Sequence, residues 1–142
     1  MLELLNKFGL YNVLMVDDDL ELCEVMKFYL SKIDSIKSIV TVHDGMSAAQ
    51  KIRNQKFDLI LLDMKMPKKN GYEMLDEFRG NPFNSVNSVV AMSGTMDMEI
   101  LTINTSNGIK TFLIKPFTED LFLEKIKKII TIEANKVGRA TS

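Results

Sequence analysis

The sequence predicts an α/β protein built on a doubly wound parallel sheet. Three observations carry that expectation. Five short apolar runs begin near Val13, Ser38, Leu59, Ser88 and Thr111, separated by segments with helical spacing. The runs are continuously apolar rather than alternating, as in strands covered on both faces. Each run also leads to residues that handle phosphate or metal. "NVLMV" leads into Asp17, Asp18 and Asp19, "SIVTV" into His43 and Asp44, and "LILL" into Asp63; "SVVAM" ends at Ser93, and "TFLI" at Lys115 and Pro116. In an open parallel sheet all strand C-termini share one edge, and ligands bind there.

Between the first two runs, Leu22, Met26, Tyr29, Leu30 and Ile33 share one helical face. Met46, Ala49 and Ile52 mark a second helix, ended before the Phe57 strand. "GYEMLDEF" (Gly71 to Phe78) predicts a short third helix, stopped by Gly80 and Pro82, and "NPFNSVNS" (Asn81 to Ser88) a surface loop. Met96, Ile100 and Ile103 give a partial stripe for a fourth helix. Its "TINTSN" stretch (Thr102 to Asn107) costs on the order of 3 kcal/mol in propensity relative to alanine. Packing overrides such a deficit in many helices, but a weak helix is also an easily moved one. Phe122, Ile126, Ile129 and Ile130 define a fifth helix, with Thr118 as N-cap and Glu119 and Asp120 in the favourable first turn. Alternating strands and helices with right-handed crossovers give a flavodoxin-like five-stranded sheet, order 2-1-3-4-5, in a three-layer sandwich. Residues 1–11 read as an N-terminal extension and 12–133 as the domain. Residues 134–142, where the apolar pattern is lost, read as a flexible, fraying tail.

At 142 residues, 46% hydrophobic and 26% charged, the chain suits one ordinary globular domain. A net charge of −1 gives no electrostatic case for nucleic acid or an anionic membrane. The single cysteine, Cys23, has no internal disulfide partner, and its amphipathic setting predicts a buried thiol. No apolar run approaches the roughly 18 residues of a membrane span, and "MLELLNKFGLY" is unlike a signal peptide. A cytoplasmic protein is the expectation.

The chemistry lies in five residues. Strands one and three are neighbours in the predicted order, so Asp17, Asp18 and Asp63 converge where the winding reverses. Two carboxylates about 5 Å apart repel by roughly 3 kcal/mol at an effective dielectric near 20. A lone acid after a strand is an ordinary turn or capping residue, but three together call for a cation or shared protons. Carboxylate oxygens with water suit Mg²⁺. Ser93 and Lys115 add a hydroxyl donor and an ammonium able to contact an acyl phosphate. Pro116 biases Lys115 toward extended geometry and makes the bond between them a candidate for the cis form.

The pieces "VLMVDDD", "DLILLDMKMPKKNGYEML", "VVAMSG" and "FLIKPF", in this order and spacing, resemble the receiver domain of two-component response regulators, including the stand-alone chemotaxis regulator. The resemblance covers about Asn12 to Glu133. It implies that Asp63 is the phosphoacceptor, taking a phosphoryl group from a sensor histidine kinase, a phosphotransfer protein or a small donor. It implies Mg²⁺ bound by Asp18 and Asp63 directly, by Asp17 through water and by the Lys65 backbone carbonyl. Ser93 would hydrogen-bond the phosphoryl oxygen, Lys115 would pair with it, and Phe112 would be the aromatic that turns inward when Ser93 moves. The implied output is a change in affinity for a downstream protein at the face of the fourth helix, fifth strand and fifth helix. Such domains also form homodimers there, though nothing in this sequence requires it.

Departures are few. Phe112 stands where a tyrosine is frequent, Ser93 where threonine is frequent, and Lys110 adds positive charge beside the implied output face. Asp19 is an additional acid at the first turn of helix one, and Lys68 and Lys69 follow Asp63 as loop charge. His43, the only histidine, follows a strand and falls outside the expected site. Two alternatives stand beside this reading. One is a receiver cut from a larger regulator with an output domain such as a DNA-binding one. The other is a small Mg²⁺-dependent phosphatase of haloacid-dehalogenase type using Asp17, Asp19, Ser93 and Lys115, which leaves Asp63 without a role. The receiver reading implies a signalling domain rather than a turnover enzyme.

Overall fold

The computed structural model describes residues 11–66, 71–94 and 108–141, with side chains placed in 11–66, 73–94 and 108–130. The predicted extension up to Leu10, Lys68 and Lys69, and the predicted fourth helix over Met96, Ile100 and Ile103 lie outside the described residues. The strands are β1 (Tyr11–Val16), β2 (Ile36–Val42), β3 (Leu59–Asp63), β4 (Val89–Ser93) and β5 (Thr111–Ile114). The helices are α1 (Leu20–Leu30), α2 (Gly45–Asn54), a single turn α3 (Gly71–Met74) that continues as 3-10 helix over Leu75–Phe78, and the C-terminal α4 (Glu119–Thr141).

All strands pair in parallel, in the order β2-β1-β3-β4-β5. This is the flavodoxin-like sheet expected from the sequence. Successive side chains alternate between faces. Val13, Met15, Leu61 and Met92 meet α1 and α4, whereas Leu14, Val16, Ile60 and Leu62 meet α2 and the α3 turn. β3 and β4 are buried at every position, as their unbroken apolar runs require. β2 and β5 are the sheet edges. β2 is half-buried along almost its whole length and β5 at alternate residues, because each has a neighbouring strand on one side only.

Several local expectations need correction. β1 begins at Tyr11, inside the expected extension. Tyr11 is buried, its N–H donates to the Ser35 carbonyl (3.1 Å), and its hydroxyl donates to the Ile130 carbonyl (3.1 Å). Asp19 is the N-cap of α1 rather than a first-turn acid, accepting the Leu22 N–H at 3.0 Å. Asp44 caps α2 and Thr118 caps the start of α4 in the same way. Each such cap contributes about 1 kcal/mol. The third helix is α-helical for only one turn, and Gly80, at φ +69°, lies just past its 3-10 continuation. α4 runs through Thr141, so most of the stretch 134–142 expected as a tail is helical in backbone.

The segment expected to be a surface loop, Asn81 to Ser88, contains an inward anchor. Asn84 is only 4% exposed; its amide donates to the carbonyls of Ile52 (2.8 Å) and Gln55 (2.7 Å), and its oxygen accepts the Phe57 N–H (2.8 Å). Asn81 donates to the Ile52 and Glu77 carbonyls and accepts from the N–H groups of Phe83 and Asn84. Arg53 and Glu77 add a bidentate ion pair between α2 and the 3-10 segment, with both N···O distances 2.7 Å. The end of the sheet remote from the strand C-termini is thus closed by satisfied polar groups. Asn84→Ala leaves the Gln55 carbonyl and the Phe57 N–H without their partner and takes one of two donors from the Ile52 carbonyl, and is expected to cost about 2–4 kcal/mol in urea denaturation.

Candidate functional site

The β1, β3, β4 and β5 C-termini bring together residues far apart in the chain. Asp17 follows β1 and is fully buried, Asp63 closes β3 at 5% exposure, and Ser93 closes β4 at 5% exposure. Lys115 follows β5. Its N–H donates to the Ser93 carbonyl (2.7 Å), which joins the two strand ends. The Lys115 ammonium lies 2.7 Å from Asp17 Oδ2 and 3.2 Å from Asp63 Oδ2. Asp17, Asp18 and Asp63 each offer a carboxylate oxygen, and these oxygens all lie within 4.8 Å of one another. Asp18 is the exposed member. The donor set is all oxygen, carboxylate and partly solvated, which suits a hard divalent ion such as Mg²⁺.

Short-range backbone bonds shape this edge. The Asp19 N–H donates to Asp17 Oδ1 (2.9 Å), and the Lys65 N–H to Asp63 Oδ1 (3.0 Å). The Lys65 peptide is therefore held against the Asp63 carboxylate. The Lys115–Pro116 bond is cis, as the Lys-Pro pair allows. Immediately beyond it, Phe117 stacks on Phe122 of α4 (5.6 Å between centroids), and Phe122 packs against Tyr29 of α1 (5.5 Å). Phe112 is half-buried and packs with the α2-side core.

The charges perturb one another. Burial, the largest influence on Asp63, raises its pKa, and Asp17 raises it further; the Lys65 N–H and Lys115 oppose this, and the net direction is up. Burial alone would lower Lys115. The hydrogen bond it donates to Asp17 and the charges of Asp63 and Asp17 outweigh it, so its pKa is raised. Cys23, buried and near Asp17, is pushed up to about 11 and stays a thiol at neutral pH. That settles the cysteine as the buried group expected from its helix face.

His43 lies outside the site expected from the sequence, yet it reaches this edge. The structure places its Nδ1 2.9 Å from the main-chain carbonyl of Asp17, and the Cys23 thiol reaches the same oxygen at 3.6 Å. A usable signal was present: in the order β2-β1-β3, the residue after β2 necessarily abuts the end of β1.

Against known proteins, residues 13–127 match the model of the response regulator receiver domain. The chain belongs to that family. It is a signalling domain of two-component systems. The receiver is 36% identical over 111 residues to the transcriptional regulatory protein MalR of Bacillus subtilis, covering 78% of this chain and 46% of MalR. It is 30% identical over 127 residues to the transcription factor SKN7 of Candida albicans, covering 89% of this chain and 22% of SKN7. The chain thus spans less than half the length of either relative. Among solved structures, a two-component response regulator from Clostridium difficile superposes with a TM-score of 0.74 at 24% identity, covering 85% of this chain and 96% of that one. The receiver domain of the sensor histidine kinase PA1611 from Pseudomonas aeruginosa, determined with a magnesium ion in its active site cleft, gives 0.73 at 22% identity over 85% and 98%. Both show the same fold. Among the described residues, no helix is long and apolar enough to cross a membrane.

The raised pKa of Asp63 has a stability consequence. The folded protein holds that proton more tightly than the unfolded chain, so this group's contribution to stability falls as pH rises from the ordinary aspartate range through the raised one. With metal removed by EDTA at neutral pH, Asp63→Asn is expected to stabilise the receiver by about 1 kcal/mol, by relieving repulsion with Asp17 and Asp18. Urea titrations should show the gain shrinking as pH is lowered through the carboxylate range.

Proposed function

We propose that Asp63 is the phosphoacceptor of this receiver and that its phosphorylation switches partner binding. The observation that carries the reading is the meeting of the Asp63 carboxylate with Asp17, Asp18 and the Lys115 ammonium at one sheet edge. A carboxylate oxygen of Asp63 attacks phosphorus. The bond to the donor breaks with its electron pair, which returns to the imidazole nitrogen of a kinase or phosphotransfer histidine, or to the leaving oxygen of acetyl phosphate. The product is an acyl phosphate on Asp63. Lys115, freed from part of its pairing with Asp63, follows the charge onto the phosphoryl oxygens, and Ser93 donates its hydroxyl to one of them. Asp17, Asp18, Asp63 and the Lys65 carbonyl would hold Mg²⁺, which supplies positive charge against the carboxylates and the transferring phosphoryl group.

The switch would run through Ser93 and Phe112 to the face that includes β5 and α4. A downstream protein binds there, and a second copy of the receiver is an alternative occupant. A second reading, in which the receiver governs a transcription-regulating segment of a longer protein, is supported by the names and greater lengths of MalR and SKN7. Both readings share the chemistry at Asp63.

Acetyl phosphate with Mg²⁺ is expected to add one hydroxylamine-labile phosphoryl group to the wild type, seen by intact mass. Asp63→Asn should gain none, and EDTA should abolish the gain in the wild type. Label that persists in Asp63→Asn would refute the assignment. A beryllofluoride-dependent pull-down is expected to retain the downstream protein with wild type and to lose it with Asp63→Asn.

A further inference from the structure

We infer that His43 is a positioning residue for the acidic edge: its Nδ1–H, together with the Cys23 thiol, holds the Asp17–Asp18 peptide and so sets the direction of the Asp18 carboxylate. The inference deepens the functional reading above and rests on its assignment of Asp17, Asp18 and Asp63 to Mg²⁺.

The three acids are held differently. Asp17 has Lys115 on one oxygen and the Asp19 N–H on the other, and Asp63 has Lys115 and the Lys65 N–H. The Asp18 carboxylate is exposed and, among the described residues, has no hydrogen-bond partner. Its direction therefore depends on its backbone. The carbonyl of Asp17 belongs to the peptide that joins Asp17 to Asp18, so whatever grips that oxygen fixes the plane from which Asp18 departs. Two side chains grip it: His43 Nδ1 at 2.9 Å from the end of β2, and Cys23 Sγ at 3.6 Å from α1. A carbonyl oxygen only accepts, so Nδ1 carries the proton, and in the neutral ring Nε2 is left as the acceptor nitrogen. The thiol supplies the second hydrogen. The β2 and β1 ends are also tied by the Asp17 N–H to the Val42 carbonyl (3.2 Å), so His43 approaches from a fixed neighbour. Groups of this kind, one step behind a ligand, tune metal sites by orientation rather than by touching the ion.

The test titrates Mg²⁺ into the full chain, followed by amide NMR shifts around Asp17, Asp18 and Asp63, in wild type, His43→Ala and His43→Asn. Asparagine keeps an N–H at the place of Nδ1. His43→Ala is expected to weaken Mg²⁺ binding by about tenfold, the lower end for a residue behind the ligands, while its urea midpoint moves little. His43→Asn should recover most of the affinity, and rates of phosphorylation by acetyl phosphate at limiting Mg²⁺ should follow the same order. As this is the only histidine, its imidazole nitrogen signals are unambiguous, and they should show the proton on Nδ1 in the neutral ring. Equal affinity in His43→Ala and wild type, an asparagine variant no better than alanine, or a proton on Nε2 would each overturn the inference. A wild type with no Mg²⁺ affinity would overturn the functional reading and this inference with it, a result distinct from variants that bind as the wild type does.

Discussion

The Lys115 ammonium, lying between Asp17 and Asp63, joins the ends of three strands with one cation. Its partners are 98 and 52 residues away in the chain. Burial and repulsion from Asp17 both act against the charge on Asp63, and Lys115 opposes them. The lysine meets the cost in part. Two carboxylates against one ammonium leave the edge with surplus negative charge, and Asp18 adds to it. A site in that state favours ligands that are themselves positive, or that arrive with a cation.

That arrangement follows from topology more than from any local motif. Parallel pairing in the order β2-β1-β3-β4-β5 points every strand end to the same side. The unbroken apolar runs of β3 and β4 let those strands lie in the middle, where both faces are covered. The opposite end of the sheet carries a different chemistry. There Asn84, Asn81 and the Arg53–Glu77 pair satisfy one another. Charge is thus left unbalanced at one end of the sheet and matched at the other.

Much of this was legible in the chain. The strand runs and the residues that end them could be read because they depend on periodicity and on which residue follows a strand; the order, and with it the convergence of Asp17, Asp18, Asp63, Ser93 and Lys115, came with the flavodoxin-like class. What could not be read depends on contacts between segments. Asn84 looks like any loop asparagine until the Ile52, Gln55 and Phe57 backbone groups are brought to it. The helix past Glu133 is not seen by an apolar-stripe criterion. His43 carries no catalytic pattern in the sequence, and only the folded chain brings it to the Asp17 carbonyl. Asp19 as N-cap differs from a first-turn acid by one residue, the scale on which boundaries are uncertain.

The aromatic contact beyond Lys115 has a mechanical consequence. Phe117 is stacked on Phe122, which packs in turn on Tyr29, so the chain leaving Lys115 is tied to both helices of one face. The chain entering Lys115 is tied to Ser93 through its N–H. The α-carbon of this lysine is therefore a fixed pivot. Any transfer of its ammonium from one anion to another is accomplished by rotation of four side-chain bonds, with the arm's anchorage unmoved, so the cation can follow charge across the edge without dragging β5 or α4 along.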